Sequence, residues 1–204
     1  MSTISDEIKS FADNRLWRTK KARIEAEARL NKYNILSIIV VNYYTFLVLA
    51  LSIWSLILDS NSDWAKYITI ITVIVSVGLF GGTILVSSMN FKEKAEKFKK
   101  SYIAIEELEV EVKKLTRSLT FLTEQHKILR LSEIEKSYAE ILNSTDNHSP
   151  MDNLKVLIDR KNTEVKWFEK INYYFKRAAS NLFIILLFTA PILVFFLIKN
   201  FLGI

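Results

Sequence analysis

Three long stretches of the chain contain no Asp, Glu, Lys or Arg, and this constrains the fold more than any other feature. They cover residues 33–58, 67–91 and 178–198, which are 26, 25 and 21 residues long. A helix of about 20 apolar residues crosses the hydrocarbon core of a bilayer. The sequence therefore predicts three membrane spans and argues against a soluble enzyme, a disordered chain or a disulfide-stabilised scaffold.

The charges between these stretches predict the orientation. Residues 1–32 carry eight basic and five acidic side chains, and residues 92–177 carry eighteen and fifteen, so each segment has an excess of three positive charges. The link 59–66 has two aspartates and one lysine. Because Lys and Arg near span ends are retained on the inner side, we expect residues 1–32 and 92–177 to be cytoplasmic.

We predict an all-α membrane protein in four parts, since no stretch alternates as a strand would. The parts are a cytoplasmic N-terminal amphipathic helix (1–32), a transmembrane helical hairpin (33–91), a cytoplasmic helical region (92–177), and a third transmembrane span with a tail (178–204). Pro191 lies in the third apolar stretch and would kink a helix there. A re-entrant or surface-lying segment therefore remains an alternative to a third crossing.

The cytoplasmic region is expected to begin as a direct continuation of the second span, because no Gly or Pro interrupts residues 92–131. A capping-box pattern at Ser132 predicts that a new helix begins there. The sequence NSTDNHSP at 143–150 predicts a loop. We expect one last helix from about residue 151 into the third span.

A 4-3-4-3 spacing of apolar side chains in this region predicts a short coiled-coil seam. The seam residues are Leu108, Val112, Leu115, Leu119 and Leu122.

Hydroxyl-bearing side chains form a stripe on each of the first two spans, within about 80° of arc on the first and about 60° on the second at 100° per residue. The stripes predict either helix packing, with hydroxyls bonding across helices or back to their own backbone, or the lining of an oligomeric pore. The candidate pore-lining residues are Ser37, Thr45, Ser52, Ser55, Thr69, Thr72, Ser76, Thr83 and Ser87.

Gly78 and Gly82 form a small-xxx-small pair opposite the hydroxyl stripe of the second span, which predicts a helix-packing face. Asn42 is the one amide deep in the first span, and we interpret it as an interhelical hydrogen-bonding group.

The absence of charge inside the spans argues against an ion-coupled transporter and permits a passive pore. Basic residues beside the second span are predicted to bind anionic lipid headgroups: Lys92, Lys94, Lys97, Lys99 and Lys100.

The sequence offers no chemistry of a catalytic or metal site. The chain has no Cys, and His126 and His148 stand 22 positions apart with no acidic cluster at ligand spacing. No phosphate-binding glycine loop, GxSxG or HExxH motif occurs. We therefore predict no enzymatic activity, no catalytic residues, no cofactor and no metal. The basic clusters lack interleaved exposed aromatics and any known nucleic-acid-binding motif, so direct nucleic-acid binding is not expected.

The order of these parts resembles the SLATT domain, the two-span effector domain associated with nucleotide-signalling and reverse-transcriptase conflict systems in bacteria. A basic helix (TKKARIEAEARLNKYN) enters a Ser/Thr-bearing hairpin, which leads into a charged helix (MNFKEKAEKFKKSYIAIEELE) and a YAEILNSTDNHSPMD turn. YAEIL and NHSPMD look most like the family-five branch. The resemblance covers about residues 10–175, and the third span lies beyond the two-span pattern.

The resemblance implies a membrane effector of an antiphage, abortive-infection system in the bacterial inner membrane. Such a protein would form a homo-oligomeric pore or a membrane-disrupting complex when an upstream sensor detects phage. The upstream partner would be a sensor or an enzyme that synthesises a nucleotide or nucleic acid. The alternative is a non-conducting membrane-anchored helical scaffold that recruits a cytoplasmic enzyme.

Overall fold

The computed structural model describes residues 3–57, 63–118, 121–161 and 165–201, and these residues form helices and connecting turns without a strand. The predicted all-α fold class is confirmed. The elements are α1 (Ile4–Ser10), a π-helix (Phe11–Leu16), α2 (Trp17–Ile57), α3 (Asp63–Ser88), α4 (Phe91–Ser118), α5 (Glu124–Asn143), α6 (Pro150–Asp159) and α7 (Trp167–Phe201).

Contacts divide the chain into two compact units, each made of two chain segments. The first, here called the helical unit, comprises Met1–Asn31 and Lys92–Arg177. The second, here called the span unit, comprises Lys32–Phe91 and Ala178–Ile204. Helices α2, α3 and α7 supply the three stretches that are long and apolar enough to cross a membrane.

The N-terminal helix begins at a reciprocal cap. The hydroxyl of Thr3 accepts a bond from the backbone N–H of Asp6, whose carboxylate accepts one from the backbone N–H of Thr3. The π-helix that follows turns Phe11 and Leu16 into the interior of the helical unit. A π-helix is a rare element that often lies at functional sites.

The absence of Gly and Pro had predicted that the helix of the second span continues directly into the next segment, and this prediction is wrong. The helix breaks at Met89 and Asn90, where Asn90 has φ 50°. Asn is among the few non-glycine residues that enter this left-handed region readily. A local backbone preference of one residue thus accompanies the end of α3, and α4 begins at Phe91.

Two further helix boundaries in the helical unit differ from the predicted ones. Helix α5 begins at Glu124, because the hydroxyl of Thr123 accepts a bond from the backbone N–H of His126; Ser132 lies inside that helix. The predicted continuous last helix is divided into α6 and α7, and Lys161 has φ 54° after α6 ends. The predicted loop at 143–150 is confirmed, with Ser149 capping α6.

The core of the helical unit combines the apolar stripe of α4 with side chains from α1, the π-helix and α5. Leu108, Val112 and Leu115 of the predicted seam are buried there. Leu122 contacts the edge of this core, and Leu119 lies outside the described residues. The other buried members of the core are Ile8, Phe11, Leu16, Ile105, Leu131, Ile134 and Tyr138. The stripe is therefore covered by helices of its own chain.

Charged pairs between distant segments tie the helical unit together. Arg29 binds Asp152 through two nitrogens, with Nε–Oδ1 at 2.9 Å and Nη2–Oδ2 at 3.0 Å. Asp152 is 5% exposed and also accepts from the backbone N–H of Ser149. A two-nitrogen guanidinium–carboxylate pair of this kind fixes orientation as well as charge. It joins α2 to the start of α6.

Candidate functional site

Seven of the nine hydroxyls of the predicted pore-lining stripes bond to carbonyl oxygens of their own helices. On α2, Ser37 and Ser55 donate to the carbonyl three residues earlier, and Thr45 and Ser52 to the carbonyl four residues earlier, all at 2.8 Å. On α3, Thr69, Ser76 and Thr83 donate to the carbonyl four residues earlier, at 2.7–2.8 Å. Each of these hydroxyls uses its proton locally and keeps its oxygen lone pairs for another donor or a cation.

The stripe of α3 lies along one edge of the face that contacts the rest of the span unit. Thr72 and Ser76 are half-buried, whereas Thr69, Thr83 and Ser87 are exposed in the single chain. The hydroxyl of Thr72 is buried and has no hydrogen-bond partner among the described residues. The stripe therefore continues from the chain's interior to a surface that a second molecule can reach.

The glycine pair of α3 makes no close contact within the chain. A Cβ placed on Gly78 or Gly82 would meet no heavy atom within 4 Å. Neither glycine is therefore needed for packing against the described residues of its own chain. The predicted helix-packing role remains a prediction about another copy.

The third apolar helix lies alongside the first, and two tyrosine hydroxyls join them. Tyr44 donates to the carbonyl oxygen of Leu187 at 2.8 Å, and Tyr43 donates to that of Phe188 at 2.9 Å. Pro191 has no N–H, so the carbonyl four residues earlier, that of Leu187, loses its helical partner. Tyr44 supplies the missing donor from the neighbouring helix.

Ring contacts extend this pairing along both helices. The rings of Tyr43 and Phe188 have centroids 5.1 Å apart, and those of Trp54 and Phe195 are 5.7 Å apart. The residue numbers rise together on both helices, so α2 and α7 run parallel over this length. Helix α7 continues through Pro191 as a helix. The arrangement favours a third crossing over a re-entrant or surface-lying segment.

The basic residues at the start of α4 are all exposed, as a headgroup-binding role requires. Lys97 bonds to Glu93 at 2.8 Å, and this bond raises the pKa of Lys97 above its ordinary value and lowers that of Glu93. Lys92, Lys94 and Lys99 make no ion pair with the described residues. Their charges remain available to anionic lipid.

A groove of about 410 Å³ in the helical unit lies beside the π-helix and was not predicted. Its lining includes Lys9, Asp13 and Trp17 on one side and Thr116 and Arg117 of α4 on the other. Its volume falls in the range of small-molecule sites. The lining mixes charges of both signs, so the groove does not identify a ligand by its charge.

Arg23 is a buried cation that the sequence did not single out. It is 1% exposed, and its Nη1 donates to the carbonyl of Ile141 at 3.4 Å and to the hydroxyl of Thr145 at 3.2 Å. Its Nε has no partner among the described residues. Burial lowers the pKa of Arg23, and burial followed by repulsion from Arg23 lowers the pKa of His148. Among the described residues, no cluster of His, Asp or Glu could hold a metal.

Comparison of the sequence with models of known protein families gives one match. The model of the SMODS and SLOG-associating 2TM effector domain family 5, SLATT_5, matches residues 4–198. The chain belongs to this family. The match extends beyond the predicted 10–175 and includes the third apolar helix of this SLATT chain. No curated protein and no solved structure matches it significantly.

The family is one of effector domains with two transmembrane segments, whereas the described residues of this SLATT chain include three helices long and apolar enough to span a membrane. Sequence reasoning missed the role of Tyr43 and Tyr44 and the buried Arg23. A proline inside an apolar stretch was the available signal for the tyrosines, because it leaves a carbonyl that a nearby hydroxyl can satisfy. Arg23 had no such signal in a segment rich in exposed basic residues.

Proposed function

We propose that this SLATT chain is a membrane effector whose copies assemble into a pore or membrane-disrupting complex when an upstream sensor triggers it. It would act in abortive infection, in the bacterial inner membrane, with residues 1–32 and 92–177 in the cytoplasm. A nucleotide- or nucleic-acid-synthesising enzyme is the proposed upstream partner. The effector-domain family and the three apolar helices support this proposal.

The observation that carries the pore proposal is the hydroxyl stripe of α3 on the charge-free part of that helix, residues 67–88. Thr69, Thr83 and Ser87 are exposed in the single chain, next to the half-buried Thr72 and Ser76. Hydroxyls whose protons are bonded to their own backbone can lie against hydrocarbon at low cost. Their lone pairs can still coordinate water or cations once several copies turn these stripes toward a common axis. The same face therefore suits a closed and an open state.

The non-conducting scaffold is the weaker candidate, because it requires a free apolar seam on the cytoplasmic helices. Leu108, Val112 and Leu115 are instead buried against helices of the same chain. The part of the seam that the structure describes is therefore already occupied and does not offer the contact by which a scaffold of this kind would recruit an enzyme.

Paired substitutions on α3 test the pore proposal. Ser76→Leu with Thr83→Leu removes two hydroxyls of the stripe, and Val77→Leu with Ile84→Leu adds a matched change on exposed apolar positions. In cells that overproduce the full chain, we expect the hydroxyl variant to lose membrane depolarisation and growth arrest while its membrane level persists. The apolar variant should keep both. Equal depolarisation by the hydroxyl variant and the original chain would contradict the proposal.

A further inference from the structure

Within its charge-free stretch, the exposed face of α2 carries one amide side chain and one hydroxyl, that of Thr45, among apolar residues. Asn42 is exposed and makes no hydrogen bond to the described residues. Its position is about one third of the way along the 26-residue charge-free stretch, about 14 Å from Tyr33 at 1.5 Å per residue. At that depth hydrocarbon offers an amide neither donor nor acceptor.

Asn42 lies inside the exposed face rather than at its edge. At 100° per residue, the exposed positions of this span cover an arc of about 180°, and Asn42 lies about 30° from its middle. Tyr43 and Tyr44, which bond to α7, lie about 100° and 160° away from Asn42 around the helix. The large exposed side chains around Asn42 are Ile35, Ile38, Ile39, Phe46, Leu49 and Ile53.

The spacing on this face is that of a helix–helix seam. Ile35, Ile38, Asn42, Thr45 and Leu49 follow each other at intervals of 3, 4, 3 and 4. Such a spacing lets one helix contact another along its length. A single Asn within the seam fixes the register of the helices and the number of helices that associate. Thr45 already donates its proton to the carbonyl of Val41 at 2.8 Å, so Asn42 alone brings an unused donor to the seam.

We propose that this α2 face binds the same face of a second copy of the chain, and that Asn42 amides of neighbouring copies hydrogen-bond to each other. An amide is self-complementary, because it donates through nitrogen and accepts through oxygen. The hydrogen-bond partner of the Asn42 amide must itself lie within the bilayer. A symmetric contact between identical helices places the Asn42 amide of the second copy opposite the first. The seam contains no charge that would favour a different, charged span. This contact would join the copies of the oligomer in the proposed function, and it therefore rests on that proposed function.

Cysteine cross-linking in membranes tests the contact, because the native chain has no Cys. Phe46→Cys places a thiol on the α2 face, and Leu47→Cys places one at the same depth on the half-buried side. We expect oxidation to link two copies through residue 46 and not through residue 47. Absence of the link at 46, equal linking at both positions, or a link to a different protein would each overturn the proposal.

The amide itself is tested by Asn42→Leu in the Phe46→Cys chain. We expect the fraction of linked copies to fall by about tenfold, equivalent to about 1.4 kcal/mol, while Asn42→Gln retains most of the linking. Thr45→Val is the matched control on the same face and should leave linking unchanged. Undiminished linking in Asn42→Leu would overturn the role of the amide. Copies that link through residue 46 but never depolarise membranes would contradict the proposed function and leave this contact standing.

Discussion

The hydroxyl of Tyr44 donates to the carbonyl oxygen of Leu187 at 2.8 Å, and this carbonyl is the one that Pro191 leaves without its helical partner. The bond explains how a proline is accommodated within the third apolar helix. It also explains why that helix lies against α2, since the donor comes from there. Tyr43 adds a second bond one residue further along, to Phe188 at 2.9 Å.

Removing the Tyr44 hydroxyl should therefore cost stability only while Pro191 is present. We expect Tyr44→Phe to lower the free energy of unfolding in detergent by about 1 kcal/mol. In a Pro191→Ala background, the restored N–H of residue 191 satisfies Leu187, so the same change should cost much less. A double-mutant cycle measured by denaturant unfolding gives the coupling. Equal costs in both backgrounds would show that the tyrosine does not serve the proline.

The core position of the α4 stripe predicts unequal effects at two isoleucines of the same helix. Ile105 is 0% exposed and Ile103 is 42% exposed. Ile105→Ala should destabilise the protein by about 2–5 kcal/mol, because it opens a cavity in the core. Ile103→Ala should change the free energy of unfolding by no more than about 0.5 kcal/mol. Thermal unfolding of the two variants measures the difference, and similar midpoints would argue that the stripe serves another molecule.

The Arg29–Asp152 pair predicts a large local effect. Asp152→Ala leaves Arg29 without its carboxylate and removes the acidic member of the α6 cap, so we expect a loss of about 3 kcal/mol. Hydrogen exchange of the α6 backbone should accelerate strongly. Arg29→Lys keeps the charge but loses the two-nitrogen geometry, and should give an intermediate acceleration. Unchanged exchange in both variants would show that the pair does not hold α6.

The lowered pKa of His148 predicts that the protein loses stability below neutral pH. Burial is the main cause and repulsion from Arg23 the second, while Asp152 acts in the opposite direction. The unfolded chain takes up a proton near pH 6.5, whereas folded His148 resists it, so stability falls as the pH drops through and below that value. In the His148→Gln variant, the melting temperature should change less between pH 7 and pH 5 than it does in the original chain. An equally steep decline in that variant would assign the loss to other groups.

The fold class followed from hydropathy, because charge-free stretches of bilayer length admit few structures other than spanning helices. The helix boundaries between the spans were less accessible. The helix ends before Asn90, although Asn occurs inside many helices. Thr123 caps α5, although Ser132 offers the more complete capping pattern in the sequence. At both positions several weak local signals compete, and helix propensity alone does not decide which of them prevails.

The candidate site was predictable in composition but not in bonding. The stripes of Ser and Thr were visible as periodic residues, yet periodicity cannot tell whether a hydroxyl such as Ser76 bonds to its own backbone or across to another helix. The seam at Leu108 and Val112 was visible in the same way, and its partner was not, because a 3–4 spacing is common to coiled coils and to packed helices of one chain.

Conductance of the purified full-length chain in a planar lipid bilayer tests the proposed pore most directly. The membrane should contain anionic lipid to engage the exposed lysines of α4. If copies assemble into a pore, current under an applied voltage should appear in discrete steps, and Ser76→Leu with Thr83→Leu should abolish the steps. A protein that is inserted and oligomeric but passes no current above that of lipid alone would contradict the pore.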